Sequence, residues 1–130
     1  MTRGTAQDWL AHAEADLRLA HLGQPEVDKL ASLIAFHAQQ AVEKALKAVL
    51  VSHGQAFPRT HDLDQLQELV EASGVFWPRE LDPVLECTPF AVQGRYPGFD
   101  EPITAAEVAA AISMAEEVLA WAREAIGKPD

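Results

Sequence analysis

Cysteine is nearly absent from this chain, and a single residue, Cys87, cannot form an internal disulfide. One thiol also excludes a zinc site built from several cysteines, and a chain without disulfides fits a reducing compartment. Residues 1–8 carry neither the basic nor the apolar stretch of a secretion signal, and no run approaches the ~20 apolar residues that cross a bilayer. We therefore expect a cytoplasmic protein that does not enter a membrane.

Basic residues are also scarce, since 10 Lys and Arg stand against 20 Asp and Glu, for a formal net charge of −10. A surface of that sign repels phosphate backbones, so DNA is not an expected partner and any RNA contact needs a local basic patch. Apolar residues make up 48% of the 130, which is enough for one core of ordinary density. The chain is therefore expected to be a single domain, residues 1–130.

Several kinds of reaction centre are excluded by spacing. The chain has no glycine-rich phosphate loop, no His-Glu-x-x-His zinc motif and no Gly-x-Ser-x-Gly nucleophile. None of its five histidines follows a glutamate by three residues, which disfavours a di-iron bundle. The thiol of Cys87 is expected to be buried and inert. We expect neither a metal nor a cofactor.

Apolar residues recur at steps of three and four through most of the chain, which is the period of amphipathic helices. The spacing predicts three long and two short helices, in chain order residues 5–22, 26 to about 52, 62–73, 78 onward, and 104–127. Pro83 interrupts the fourth of these helices, so the boundaries of that helix are predicted only to within several residues. Pro25 is placed to open the second helix, Asp62 is the expected N-cap of the third, and Thr104 forms an expected capping box with Glu107 at the last. The residues expected to point inward from the last helix are Val108, Ile112, Ala115, Leu119, Ala122 and Ile126. No segment alternates as a strand does. The predicted fold is all-α, an up-and-down helical bundle of about five helices.

The predicted second helix carries a polar stripe beside its broad apolar face. Four residues follow one another at three or four positions and therefore share one side of the helix: His37, Gln40, Lys44 and Lys47. They concentrate positive donors on an acidic protein, and a phosphate group fits such a stripe if Arg95 and His61 fold over it. The alternative is a solvated helix face on which Lys44 and Lys47 pair with Glu43 and other acids.

The histidines and the late arginine each have a structural and a functional interpretation. His37 either faces a partner helix or takes part in ligand binding, and His61 either fixes its loop against the bundle or takes part in proton transfer. Residues 88–102 contain three prolines and two glycines without a sustained period, which predicts a loop. Within that loop, Arg95 and Tyr96 form a rigid polar platform beside a proline, although Arg95 equally suits the carbonyls of a helix end or a partner's carboxylate.

Together these segments resemble the HEPN domain family (higher eukaryotes and prokaryotes nucleotide-binding), in particular its small stand-alone prokaryotic members. The resemblance rests on three motifs, Gln-Gln-Ala-Val-Glu-Lys-Ala-Leu-Lys-Ala at 39–48, Thr-His-Asp-Leu at 60–63 and Arg-Tyr-Pro at 95–97, read with Trp9 and Asp16 near the start. It covers nearly the whole chain.

The resemblance implies a helical bundle that pairs into a homodimer, often beside a nucleotidyltransferase with which it forms a toxin–antitoxin-like or nucleotide-handling pair. Many members are metal-independent ribonucleases in which a histidine follows an arginine by four to six residues. No histidine follows Arg95 at that distance here, and attack by a 2′-hydroxyl needs such a group to take its proton. The prediction is therefore an accessory protein that binds a nucleotidyltransferase and a nucleotide or RNA phosphate.

Two other functions stay open at this point. One is a ribonuclease in which His61 or His37 acts beside Arg95, and the other is a purely structural interaction module. The catalytic candidates are Arg95 and His61, and the ligand-binding candidates are His37, Gln40, Lys44, Lys47, Arg95 and Tyr96. Trp121, beside the inward line of the last helix, is the candidate for a dimer contact.

Overall fold

Two long helices, α1 (Ala6–Gly23) and α2 (Val27–Ser52), form an antiparallel hairpin at the start of the chain. The structure is a computed structural model and describes residues 4–87 and 103–127. A 3₁₀ turn, Gln24–Glu26, joins the two helices. A Cβ on Gly23 would lie 3.0 Å from Cγ1 of Ile34, so the glycine permits their close approach at this turn.

The remaining elements are, in chain order, the short helix α3 (Leu63–Ala72), the 3₁₀ segment Arg79–Cys87 and the last helix, α4 (Ala105–Ile126). Helix α3 packs on α2, whereas α4 contacts both helices of the hairpin, and the 3₁₀ segment packs on α4. Ion pairs His21–Glu116 and Glu14–Arg123 set α4 antiparallel to α1 and therefore parallel to α2. No strand occurs in these two stretches of chain.

The core lies where the three long helices meet. Small residues let the helices approach closely, and the fully buried alanines are Ala13, Ala20, Ala41, Ala45, Ala48, Ala115 and Ala122. Leucines and valines, among them Leu46, Leu50 and Leu119, fill the space between the helices. The five inward residues predicted for the last helix from Val108 to Ala122 are all buried, and Ile126 is partly buried.

Side-chain caps determine where three of the helices begin. As predicted, Asp62 accepts hydrogen bonds from the first turn of α3, and Thr104 forms a capping box with Glu107 at α4. A further capping box, between Thr5 and Asp8, begins α1 and was not among the sequence predictions. Each box satisfies backbone N–H groups that have no partner inside the helix.

The predicted all-α helical bundle is confirmed, but residues 4–87 and 103–127 form four α-helices instead of about five. The helix predicted from Pro78 onward is instead the 3₁₀ segment. Pro83 explains the difference, because it has no N–H to donate to the carbonyl of Arg79 and its ring crowds that carbonyl. Likewise Pro25, predicted to open the second helix, lies in the 3₁₀ turn before it. None of the helices in the described part of the chain has the length and apolarity that a bilayer crossing requires.

Candidate functional site

A buried carboxylate of α1 contacts an imidazole and an ammonium group of α2. Asp16 is only 7% exposed. Its Oδ1 lies 3.0 Å from Nδ1 of His37, and its Oδ2 accepts a 2.6 Å hydrogen bond from Nζ of Lys44. The two α2 residues are seven positions apart, which is about two helical turns, so both face the same side of α2. This Asp16 cluster (Asp16, His37 and Lys44) joins the two helices of the hairpin.

A second buried carboxylate organises the other half of the polar stripe. Glu43 is 2% exposed; its Oε2 accepts a hydrogen bond from Nζ of Lys47 at 2.9 Å, and its Oε1 lies 3.0 Å from Nδ1 of His61. Lys47 is itself 8% exposed, whereas the side chain of His61 is 67% exposed. This Glu43 cluster (Glu43, Lys47 and His61) therefore ties the loop after α2 to the middle of that helix.

Aromatic rings cover the buried lysine of this cluster. Nζ of Lys47 lies 5.6 Å from the ring centroid of Trp9 and 5.8 Å from that of Phe57. The two rings contact each other edge to face, with centroids 6.1 Å apart. The negative faces of aromatic rings attract a cation, and this attraction adds to the ion pair with Glu43. The predicted alternative was a solvent-exposed pair between Lys47 and Glu43. The structure contains this pair, but both residues are buried.

An open groove runs beside the Asp16 cluster along α1. Its volume is about 660 Å³, and its lining includes Gly4, Asp8, Trp9, His12, Ala15 and Lys44. Lys44 belongs to both the cluster and the groove, and its side chain is 26% exposed. The groove therefore combines apolar walls with a few charged groups, the ammonium of Lys44 and the carboxylate of Asp8, which is the usual composition of a small-molecule site.

The predicted ligand-binding residues divide between the two clusters. His37 and Lys44 meet at Asp16, Lys47 and His61 meet at Glu43, and Gln40 donates a 3.4 Å hydrogen bond to Oε1 of Gln39. The stripe thus faces α1 and the loop after α2. The predictions for Arg95 and Tyr96 lie outside the described residues, as does the side chain of Cys87. Phosphate binding by this set stays a prediction.

Asp16 and Glu43 lie at the centres of the two clusters, and the site prediction included neither. Both are acidic residues among apolar neighbours on their helices, with Ala13 and Leu17 flanking one and Val42 and Ala45 the other. A carboxylate in an apolar face needs a partner when it is buried. That pattern was the available signal in the sequence.

Trp121, the predicted dimer contact, packs within its own chain. Its Nε1 donates to the carbonyl oxygen of Phe76 at 3.0 Å, and its ring meets Trp77 edge to face with centroids 5.0 Å apart. Trp121 as a whole is half-buried. A role for Trp121 in a dimer remains a prediction.

We expect the substitution Asp16→Asn to lower the free energy of unfolding by about 1–3 kcal/mol, because it removes the charge that His37 and Lys44 share. Urea denaturation followed by circular dichroism measures this loss. Glu14→Gln is the matched control on α1, since its pair with Arg123 is half exposed and is worth about 0–1 kcal/mol. Equal losses for the two variants would contradict a special role of the Asp16 cluster.

Comparisons with known proteins agree with this architecture. The sequence profile of the HEPN domain matches residues 6–125. The crystal structure of TT1696 from Thermus thermophilus superimposes with a TM-score of 0.77 at 30% sequence identity, over 92% of this chain and 97% of that chain. ST0689, described as an archaeal HEPN homologue, shares the fold with a TM-score of 0.69 at 23% identity, over 95% of this chain and 98% of its own. No curated protein sequence matches. The match over nearly the whole chain shows that this protein belongs to the HEPN domain family.

Proposed function

We propose that this chain is a homodimeric HEPN subunit that acts in the cytoplasm by binding and not by catalysis. In this proposal it pairs with a nucleotidyltransferase, in a toxin–antitoxin-like or nucleotide-handling system, and holds a nucleotide or RNA phosphate at the Asp16 cluster. The pairing and the homodimer rest on family membership. The observation that carries the binding role is the position of the Asp16 cluster at the edge of the open groove.

The Asp16 cluster suits phosphate because Asp16 orients the donors and engages only some of their N–H groups. Lys44 has three N–H donors, of which one is directed at Asp16. The others are available to phosphate oxygens, and a charge-assisted hydrogen bond to phosphate is among the stronger kinds. His37 is also partly exposed at the same carboxylate, and His12 lines the groove nearby. A nucleotide in the groove would place its base against the apolar wall and its phosphate at Lys44.

The substitution Lys44→Met tests this site. We expect the affinity for ATP and for a short single-stranded RNA, measured by isothermal titration calorimetry, to fall about tenfold or more, because a charged hydrogen bond to phosphate is worth about 1.5–3 kcal/mol. Arg59→Met is the control, since it removes the same charge from an exposed residue outside the groove. Identical affinities of Lys44→Met and wild type would overturn the phosphate site. Absence of the nucleotidyltransferase from a co-purification in which both proteins are produced would overturn the pairing.

A ribonuclease is the second candidate, and the Glu43 cluster favours it. A buried carboxylate holds Nδ1 of His61 while most of the ring faces solvent. Such a partner fixes the orientation of the imidazole ring, as a general base requires. This function predicts RNA cleavage by the purified protein in the presence of EDTA, abolished by His61→Ala and by Arg95→Ala. Absence of cleavage by the wild-type protein would exclude this function, and cleavage that survives both substitutions would exclude His61 and Arg95 as its catalytic residues. A protein whose melting temperature no nucleotide raises would instead be a purely structural interaction module.

A further inference from the structure

Exposed large apolar side chains are concentrated on one face of the α1–α2 hairpin. Of the five in the described residues, Leu19 and Leu22 on α1 are 51% and 66% exposed, and Leu33 and Phe36 on α2 are 59% and 37% exposed. The fifth, Phe76, lies elsewhere, after α3. We call the first four residues the hairpin face. Burying so much apolar surface against a partner is favourable, whereas leaving it in water is not.

The geometry of the hairpin brings these four side chains together. Within each helix the two residues are three positions apart and therefore point the same way. The helices are antiparallel and joined by a three-residue turn, so the end of α1 lies beside the beginning of α2. Phe36 also contacts the ring of His37, with centroids 5.4 Å apart, which places the face beside the Asp16 cluster.

The hairpin face has the size expected of the centre of an interface. Four large side chains at this exposure present on the order of 300–400 Å² of apolar surface, the size at which a patch on a monomer is often functional. A standard interface buries about 800 Å² per partner, of which the rim is polar. The hairpin face therefore corresponds to the apolar core of such an interface.

The charged residues near the hairpin face indicate which kind of partner binds there. Two cations, Arg18 and Lys29, and two carboxylates, Glu26 and Asp28, lie within a few residues of it along the chain, and all four are exposed. None of them forms an ion pair within residues 4–87 and 103–127. Two chains of net charge −10 repel each other, and contact through a region with equal numbers of both signs adds no local repulsion to that cost. Equal numbers of both signs also suit a surface that must be complementary to itself.

We propose that the hairpin face is the two-fold contact through which two copies of this chain associate. The inference rests on the homodimer of the proposed function and adds the surface that forms it. The hairpins of two copies would pack as four helices, with the four apolar residues of each at the centre. Because Ala15 and His12 of the groove are one and two helical turns from Leu19 on the same side of α1, the grooves of both copies flank this contact.

The double substitution Leu22→Glu with Leu33→Glu tests the contact. We expect the dimer dissociation constant, measured by sedimentation equilibrium, to rise about 100-fold or more, because each change places a charge at the centre of the interface. Phe76→Glu is the matched control, since it makes the same kind of change at an exposed residue away from the face, and it should leave the constant within about twofold. Circular dichroism checks that both variants fold.

Each outcome separates this inference from the proposed function. A wild-type protein that is monomeric at every concentration overturns the homodimer itself. A wild-type dimer that persists unchanged in the double variant overturns the hairpin face and leaves the homodimer standing. If the double variant does not fold, Arg18→Glu with Lys29→Glu replaces it, because both side chains are exposed and the rim becomes wholly acidic. That variant should weaken the dimer about tenfold, and Arg59→Glu should not.

Discussion

The substitution Glu43→Ala is expected to lower the free energy of unfolding by about 3–5 kcal/mol. It removes the carboxylate that neutralises Lys47, whose ammonium group is then buried between Trp9 and Phe57 without a counter-ion. It also frees His61 and so releases the loop after α2. Urea denaturation at neutral pH, followed by circular dichroism, measures the change.

The same measurement on a double variant shows whether the charge is the cause. Glu43→Leu together with Lys47→Met replaces the pair by apolar side chains of similar volume, and we expect most of the lost stability to return. Glu68→Ala on α3 is the control for removing an exposed carboxylate and should change stability by less than about 0.5 kcal/mol. A Glu43→Ala variant within about 1 kcal/mol of wild type would show that the Glu43 cluster is not a structural centre.

The substitution Trp77→Ala is expected to cost about 3–5 kcal/mol, the range for removing a buried aromatic ring. Trp77 is 2% exposed and connects the end of α3 to α4 through its edge-to-face contact with Trp121. Its Nε1 also donates to Oδ1 of Asp82 at 2.8 Å, which holds the 3₁₀ segment in place. Thermal unfolding monitored by circular dichroism measures the loss.

Trp77→Phe separates the ring from its hydrogen bond. Phenylalanine keeps an aromatic contact with Trp121 but cannot donate to Asp82, so we expect an intermediate loss of about 1–2 kcal/mol. If Trp77→Ala and Trp77→Phe have the same melting temperature, the ring contact with Trp121 contributes little to stability. The 3₁₀ segment is then not attached to α4 through Trp77.

Helix positions were predictable from sequence because they depend on local patterns. The period of apolar residues and the side chains of Asp62 and Thr104 place the beginnings of two helices within a residue of where they lie. Both signals act over a few residues. The 3₁₀ segment was mispredicted because two prolines give opposite signals. Pro78 fits the start of an α-helix, whereas Pro83 inside the segment prevents an α-helix. The period of the apolar residues does not decide between these two effects.

The arrangement of the site was less predictable because it depends on contacts between elements. Lys44 and Lys47 are three residues apart, so their directions differ by about 60° around α2. That difference is enough for Lys44 to reach Asp16 on α1 while Lys47 turns to Glu43 and the aromatic rings. No periodic pattern in the sequence predicts the path of the loop that brings His61 to Glu43.

The spacing of the two buried carboxylates from their lysines has a consequence for the order of folding. Glu43 and Lys47 are four residues apart on one helix, so they pair as soon as α2 forms and enter the core already neutralised. Asp16 and Lys44 are 28 residues apart and meet only when the hairpin closes. Because a three-residue turn makes that closure a local event, we expect the hairpin to form ahead of the docking of α4 in the transition state.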